Sequence, residues 1–161
     1  MTIKIFQSLK LPKKHRLTKK TLTVIIIITL MVCYKIAWDK TRGTQIRLNR
    51  AVVLMSSGHH EESLILYEKV LKRWPRAKLA WTGKGICLMY LGRFEEAIAS
   101  YDSNLEIDPA HLQSLNGKGI CYEKLGRYDE AIQCFKRIQD IKPDVLNAQH
   151  HIDELIHKKK E

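Results

Sequence analysis

The sequence predicts an all-α protein, a solenoid of helix-turn-helix pairs closed by a capping helix and preceded by one transmembrane helix. Three observations predict it. A pattern that repeats with a fixed period runs from residue 44 to residue 145, apolar residues within each period recur at helical spacing, and no residue from Thr21 to Tyr34 is charged.

Length and charge bound what the chain can be. At 161 residues, 45% hydrophobic and 28% charged, it has room for one core and one additional segment. Ten basic residues against Asp39 alone give residues 1–43 a charge of +9, out of +11 for the whole chain. The remainder is nearly neutral, which argues against nucleic acid as a partner, because a phosphate-tracking surface collects Lys and Arg on the folded body itself.

Residues 1–20 form a basic head. Residues 21–38 are expected to be a signal-anchor helix in the lipid bilayer: at about 1.5 Å per residue they span roughly 27 Å, just enough for the hydrocarbon core. Lys35 can extend its ammonium to the headgroups, and Tyr34 and Trp38 suit the interface. A cleaved signal is the alternative, but cutting after Ala37 or Cys33 places Lys35 or Met31 where a small residue is needed. The basic head favours a cytoplasmic amino terminus with the repeats on the opposite side of a single-pass membrane protein. Arg47 and Arg50 beyond the span weaken that bias. A linker is expected at 39–43.

The repeats follow at 44–77, 78–111 and 112–145. Gly83-Lys84-Gly85-Ile86-Cys87 returns one period later as Gly117-Lys118-Gly119-Ile120-Cys121. Leu91-Gly92-Arg93-Phe94 returns as Leu125-Gly126-Arg127-Tyr128, and Pro109 as Pro143. A weaker first copy aligns Gly58, Ser63, Tyr67 and Pro75. Gly92 offers the left-handed conformation that ends a helix, and Glu95 and Glu96 suit the first turn of the next one. The small residues Ala51, Gly85, Gly119, Ser63, Ala97 and Ala131 allow close helix approach. Residues 146–161 are expected to form a capping helix and basic tail, with Leu146, Ile152, Leu155 and Ile156 on its apolar face.

These units resemble the tetratricopeptide repeat (TPR) family, through Trp81, Gly85, Leu88, Ala97, Tyr101 and Pro109, and through Leu115, Gly119, Tyr122, Ala131, Phe135 and Pro143. The first repeat departs, with Arg47 at the Trp81 position and Ser63 for the usual alanine. The resemblance implies a groove lined by the first helix of each repeat, which takes a protein or peptide partner. Its lining here is Leu48, Asn49, Val52 and Met55 in the first repeat. The second supplies Leu79, Thr82, Gly83, Ile86, Met89 and Tyr90, and the third Gln113, Asn116, Gly117, Ile120, Glu123 and Lys124. Part of Val52, Ile86 and Ile120 is expected to be core. Where some members hold a terminal carboxylate with Lys, Asn and Arg, this chain has Leu48, Val52 and Gly83, so an amphipathic or partly apolar segment is the better ligand. Gly83 and Gly117 are read as tolerated drift, with close approach of a partner backbone as the alternative.

No catalytic, cofactor or metal site is expected. His60 falls at the aromatic position of Phe94 and Tyr128, and the adjacent His150 and His151 point about 100° apart on a helix. Cys87, Cys121 and Cys134 have no metal-ligand spacing and are read as small buried residues. The expected function is an interaction scaffold or adaptor at a membrane. The alternatives are a self-associating structural subunit, with the groove burying a second copy, and a regulatory subunit of a membrane enzyme.

Overall fold

The computed structural model describes the backbone of residues 19–144 and 146–160. The basic head expected at 1–20 therefore lies outside the described residues up to position 18. Seven α-helices and no strands are found among the described residues: α1 Lys19–Ser56, α2 His60–Arg73, α3 Lys78–Tyr90, α4 Phe94–Ile107, α5 Leu112–Lys124, α6 Tyr128–Ile141 and α7 Leu146–Lys158. The chain divides into two compact units between Gly43 and Thr44.

The first unit contains the amino-terminal part of α1. Its apolar side chains from Val24 to Trp38 are exposed, Leu30 by 63%. Tyr34 and Trp38 stack at 6.2 Å. Among the described residues no helix is long and apolar enough to cross a membrane. The described side chains of the apolar stretch begin at Thr23, so Thr21 and Leu22 of the expected span lie outside them. The linker expected at 39–43 is helical instead, part of one 38-residue helix. Gly43 alone does not break it, since no proline interrupts the run and a single interior glycine costs only about 1 kcal/mol.

The second unit is a TPR-like solenoid of three helix pairs plus α7. Each pair turns at a glycine with positive φ: Gly58 at 81°, Gly92 at 74° and Gly126 at 72°. In each turn the amide after the glycine donates back to a carbonyl of the preceding helix, His59 to Leu54, Arg93 to Leu88 and Arg127 to Tyr122, all at 2.9 Å. These are left-handed helix stops that any side chain with a Cβ would strain. Ala51, Ala97 and Ala131 are fully buried in the pair interfaces, and the Ser63 hydroxyl donates to the Ala51 carbonyl at 2.7 Å, so the substituted first repeat still closes.

Aromatic residues of the second helices fill the space between pairs. A Cβ on Gly85 would meet the Tyr101 ring at 2.6 Å and one on Gly119 the Phe135 ring at 2.9 Å. Gly83 and Gly117 are equally constrained. A Cβ at Gly83 would run into the Tyr67 ring, and one at Gly117 into the Tyr101 ring. The reading of these two glycines as drift is therefore overturned: each is a notch for the aromatic ring of the preceding repeat. α7 buries Ala148, Ile152 and Leu155, and its His151 stacks on Phe135 at 4.9 Å. Ile156, expected on that apolar face, is exposed, because the buried positions 148, 152 and 155 define a stripe that passes it by.

Candidate functional site

The first helices α1, α3 and α5 carry the expected lining. α3 and α5 pack on each other directly, which sets their outward side chains into one row. Leu79 and Tyr90 at the two ends of α3 are 55% and 65% exposed. Val52 and Asn49 of α1 and Gln113, Asn116 and Lys124 of α5 are exposed as well. Leu48, Met55, Met89 and Ile120 are half-buried and pack against the core, as expected for Ile120; Ile86 is half-buried, and Val52, expected to be partly core, is exposed instead.

Three of the expected lining residues do not line it. Thr82, Gly83 and Gly117 are buried. The glycines lie under Tyr67 and Tyr101, and Thr82 is turned inward by a hydrogen bond from Asn104. Glu123 is present but occupied: it accepts from Lys158 of α7 at 2.6 Å. Its carboxylate raises the Lys158 ammonium above the ordinary lysine range. The capping helix thereby neutralises the acidic group at the carboxyl end of the row, and the remaining polar character there comes from Gln113, Asn116 and Lys124.

His60 stacks face to face on Tyr90, with ring centroids 4.6 Å apart and planes within 3°. The aromatic position in the first repeat thus serves packing and stacks on the exposed Tyr90 ring. Among the described residues no three His, Cys, Asp or Glu groups could share a metal ion. Cys87, Cys121 and Cys134 are buried free thiols. Burial raises all three above the ordinary thiol range, Cys121 to about 11, so they are neutral and unreactive at physiological pH.

Two features escape a sequence reading. The fully buried Asn104 amide donates to Thr82 Oγ1 at 2.8 Å and Ser114 Oγ at 2.7 Å, and its nitrogen lies 3.1 Å from His111 Nδ1. This network ties α3, α4 and α5 together. The signal was a polar residue in the register held by Val70 and Ile138. The second feature is an ion-pair ladder: Lys84 donates to Glu68 at 2.9 Å and Lys118 to Asp102 at 2.5 Å, each joining successive repeats. The two acids stand one period apart and so do the two lysines, so the ladder was visible as a repeat, though its partners were not.

A stacked series of helix hairpins with an open side-chain row on its first helices defines a helical-repeat solenoid. Residues 76–144 match the family model of the tetratricopeptide repeat. Solved structures share the fold at low identity. The first TPR domain of Spaghetti (RPAP3) bound to an HSP90 peptide is 14% identical, with a TM-score of 0.70 over 73% of this chain and 94% of that one. The Arabidopsis OM64 TPR domain is 16% identical, with a TM-score of 0.67 over 71% and 94%. The Yersinia enterocolitica type III secretion chaperone SycD, in complex with a peptide of the translocator YopD, is 16% identical, with a TM-score of 0.68 over 71% and 93%. No curated protein matches the sequence.

Proposed function

We propose that the chain is a non-catalytic adaptor, held at a membrane by residues 21–38, whose row of side chains on α1, α3 and α5 binds an amphipathic or partly apolar segment of another protein. The observation that carries the reading is the pair Leu79 and Tyr90: both are largely exposed although α3 is otherwise packed on three sides. With half-buried Ile86 and Met89 on the same helix, they give α3 apolar surface that a partner would cover. The solved relatives bound to peptides support a peptide as ligand. The absence of a cation at Leu48, Val52 and Gly83 favours an apolar segment over an acidic tail.

The membrane proposal rests on the exposed side chains of Val24 to Trp38. At about 25 cal/mol per Å² of apolar area, transfer of such a stretch out of water is strongly favourable. Placing the repeats opposite a cytoplasmic amino terminus is part of the proposal, and protease protection of a carboxyl-terminal tag tests it.

The groove is tested with a photo-crosslinker at Tyr90 and, as control, at Ala99 on α4, in cells making the full chain. One defined adduct at Tyr90 and none at Ala99 supports the adaptor. Adducts with a second copy of the chain would favour the self-associating subunit instead.

A further inference from the structure

The two ends of the array are finished differently. On α3 and α5 the residues facing the preceding repeat are buried, Ala80 and Cys87 on one and Ser114 and Cys121 on the other. α7 repeats this with Ala148 and Leu155 and so closes the carboxyl end. The corresponding positions of α1, one period before Ala80 and Cys87, are Ile46 and Val53. They are 60% and 62% exposed, and no described residue covers them.

Between the members of each buried couple on α3 and α5 stands a lysine held by an acid of the preceding second helix. Lys84 takes Glu68, and Lys118 takes Asp102. Arg50 occupies that register on α1, exposed and without an ion pair among the described residues. Neighbouring Arg47 adds a further positive charge to this stretch of α1, with no acid between residues 44 and 56.

The geometry points to a second docking surface, formed by Ile46, Arg50 and Val53, for an amphipathic partner helix that sets a carboxylate between two apolar residues. The internal joints supply the template. α2 meets α3 with Tyr67 and Glu68, and its Leu64 and Leu71 lie in the same buried cluster as Ala80 and Cys87, so the partner helix presents its acid to Arg50 as Glu68 presents its own to Lys84. One difference sets specificity. The aromatic before the acid fits α3 and α5 only because Gly83 and Gly117 make room. α1 has Asn49 there, exposed, so the partner residue before the acid is small.

Charge selects against the other occupants. Residues 1–18 hold five basic residues and no acid, and a two-fold contact with a second copy would set Arg50 against Arg50. Ile46, Arg50 and Val53 are not groove residues; the surface shares only Asn49 with the expected groove lining, and the proposal does not rest on the groove.

The test uses the full chain in neutral detergent micelles and a stapled, fluorescent helical peptide of pattern Leu-x-x-Ala-Glu-x-x-Leu with uncharged polar residues elsewhere. Anisotropy should report binding at least tenfold tighter than for the same peptide with lysine in place of glutamate. Arg50→Glu should reverse that preference, Arg50→Gln should abolish it, and Tyr90→Ala should leave it unchanged. Circular dichroism confirms that each variant keeps its helix content. Equal binding of both peptides overturns the proposal, as does loss on Tyr90→Ala but not on Arg50→Glu. It is also overturned if Arg50→Glu acts only on adsorption to phosphatidylserine vesicles, which would make the face a lipid contact. A change in sedimentation of Arg50→Glu without peptide overturns it in favour of a second copy.

Discussion

The Tyr101 ring lies so close to Gly117 of the next repeat that a methyl group on Gly117 would stand 2.6 Å from its hydroxyl oxygen. The same ring covers Gly85 of its own repeat, so one aromatic side chain joins both helices of its pair to the repeat that follows. These contacts couple successive repeats.

Gly117→Ala is expected to destabilise the chain by about 1–3 kcal/mol through overpacking against Tyr101. Gly92→Ala has open space around it and loses only through its backbone conformation, about 1 kcal/mol. Thermal unfolding of the two variants should place Gly117→Ala at the lower midpoint.

The polar joint makes a second prediction. Asn104→Ala strips the donors from Thr82 and Ser114 and leaves a void beneath three helices, at a cost of about 1–3 kcal/mol in denaturant unfolding. The exposed ion pair Lys78–Asp108 should matter far less: Lys78→Ala is expected to cost under about 1 kcal/mol.

Thiol chemistry tests burial and its pH dependence. Cys87, Cys121 and Cys134 should label with a water-soluble maleimide only after unfolding. Cys33, inside the proposed span, should be protected in detergent micelles and in lipid bilayers alike, and rapid labelling in bilayers would count against the anchor. The raised Cys121 value also has a sign. The folded thiol holds its proton up to about 11 while the unfolded one releases it near 9. Its contribution to stability is complete below 9 and is lost as the pH rises through that window, so midpoints should fall in alkali more steeply for the parent than for Cys121→Ala.

Much of this was legible from residues alone because the period fixes so many positions at once. The turn glycines at 58, 92 and 126 and the small residues at 51, 97 and 131 have local causes, and they fell where the repeat spacing put them. Contacts between repeats were harder. Gly83 and Gly117 looked dispensable because their reason is an aromatic ring on the second helix of the preceding repeat, across an interface that helix propensity does not describe. Thr82 falls in the lining by its register for the same reason, and only the position of Asn104 turns it inward. In the groove itself, exposure of Leu79 and Tyr90 followed from the register, whereas the neutralisation of Glu123 by Lys158 required knowing where α7 ends.

The most direct measurement of the central claim is selection of peptides on the full chain from a random library, followed by affinity for the Leu79→Ala/Tyr90→Ala variant. Selected peptides should carry apolar residues at helical or alternating spacing, and the double variant should lose at least tenfold in affinity at unchanged helix content. Peptides enriched in acidic carboxyl termini, or affinities that the double variant leaves intact, would contradict the apolar groove.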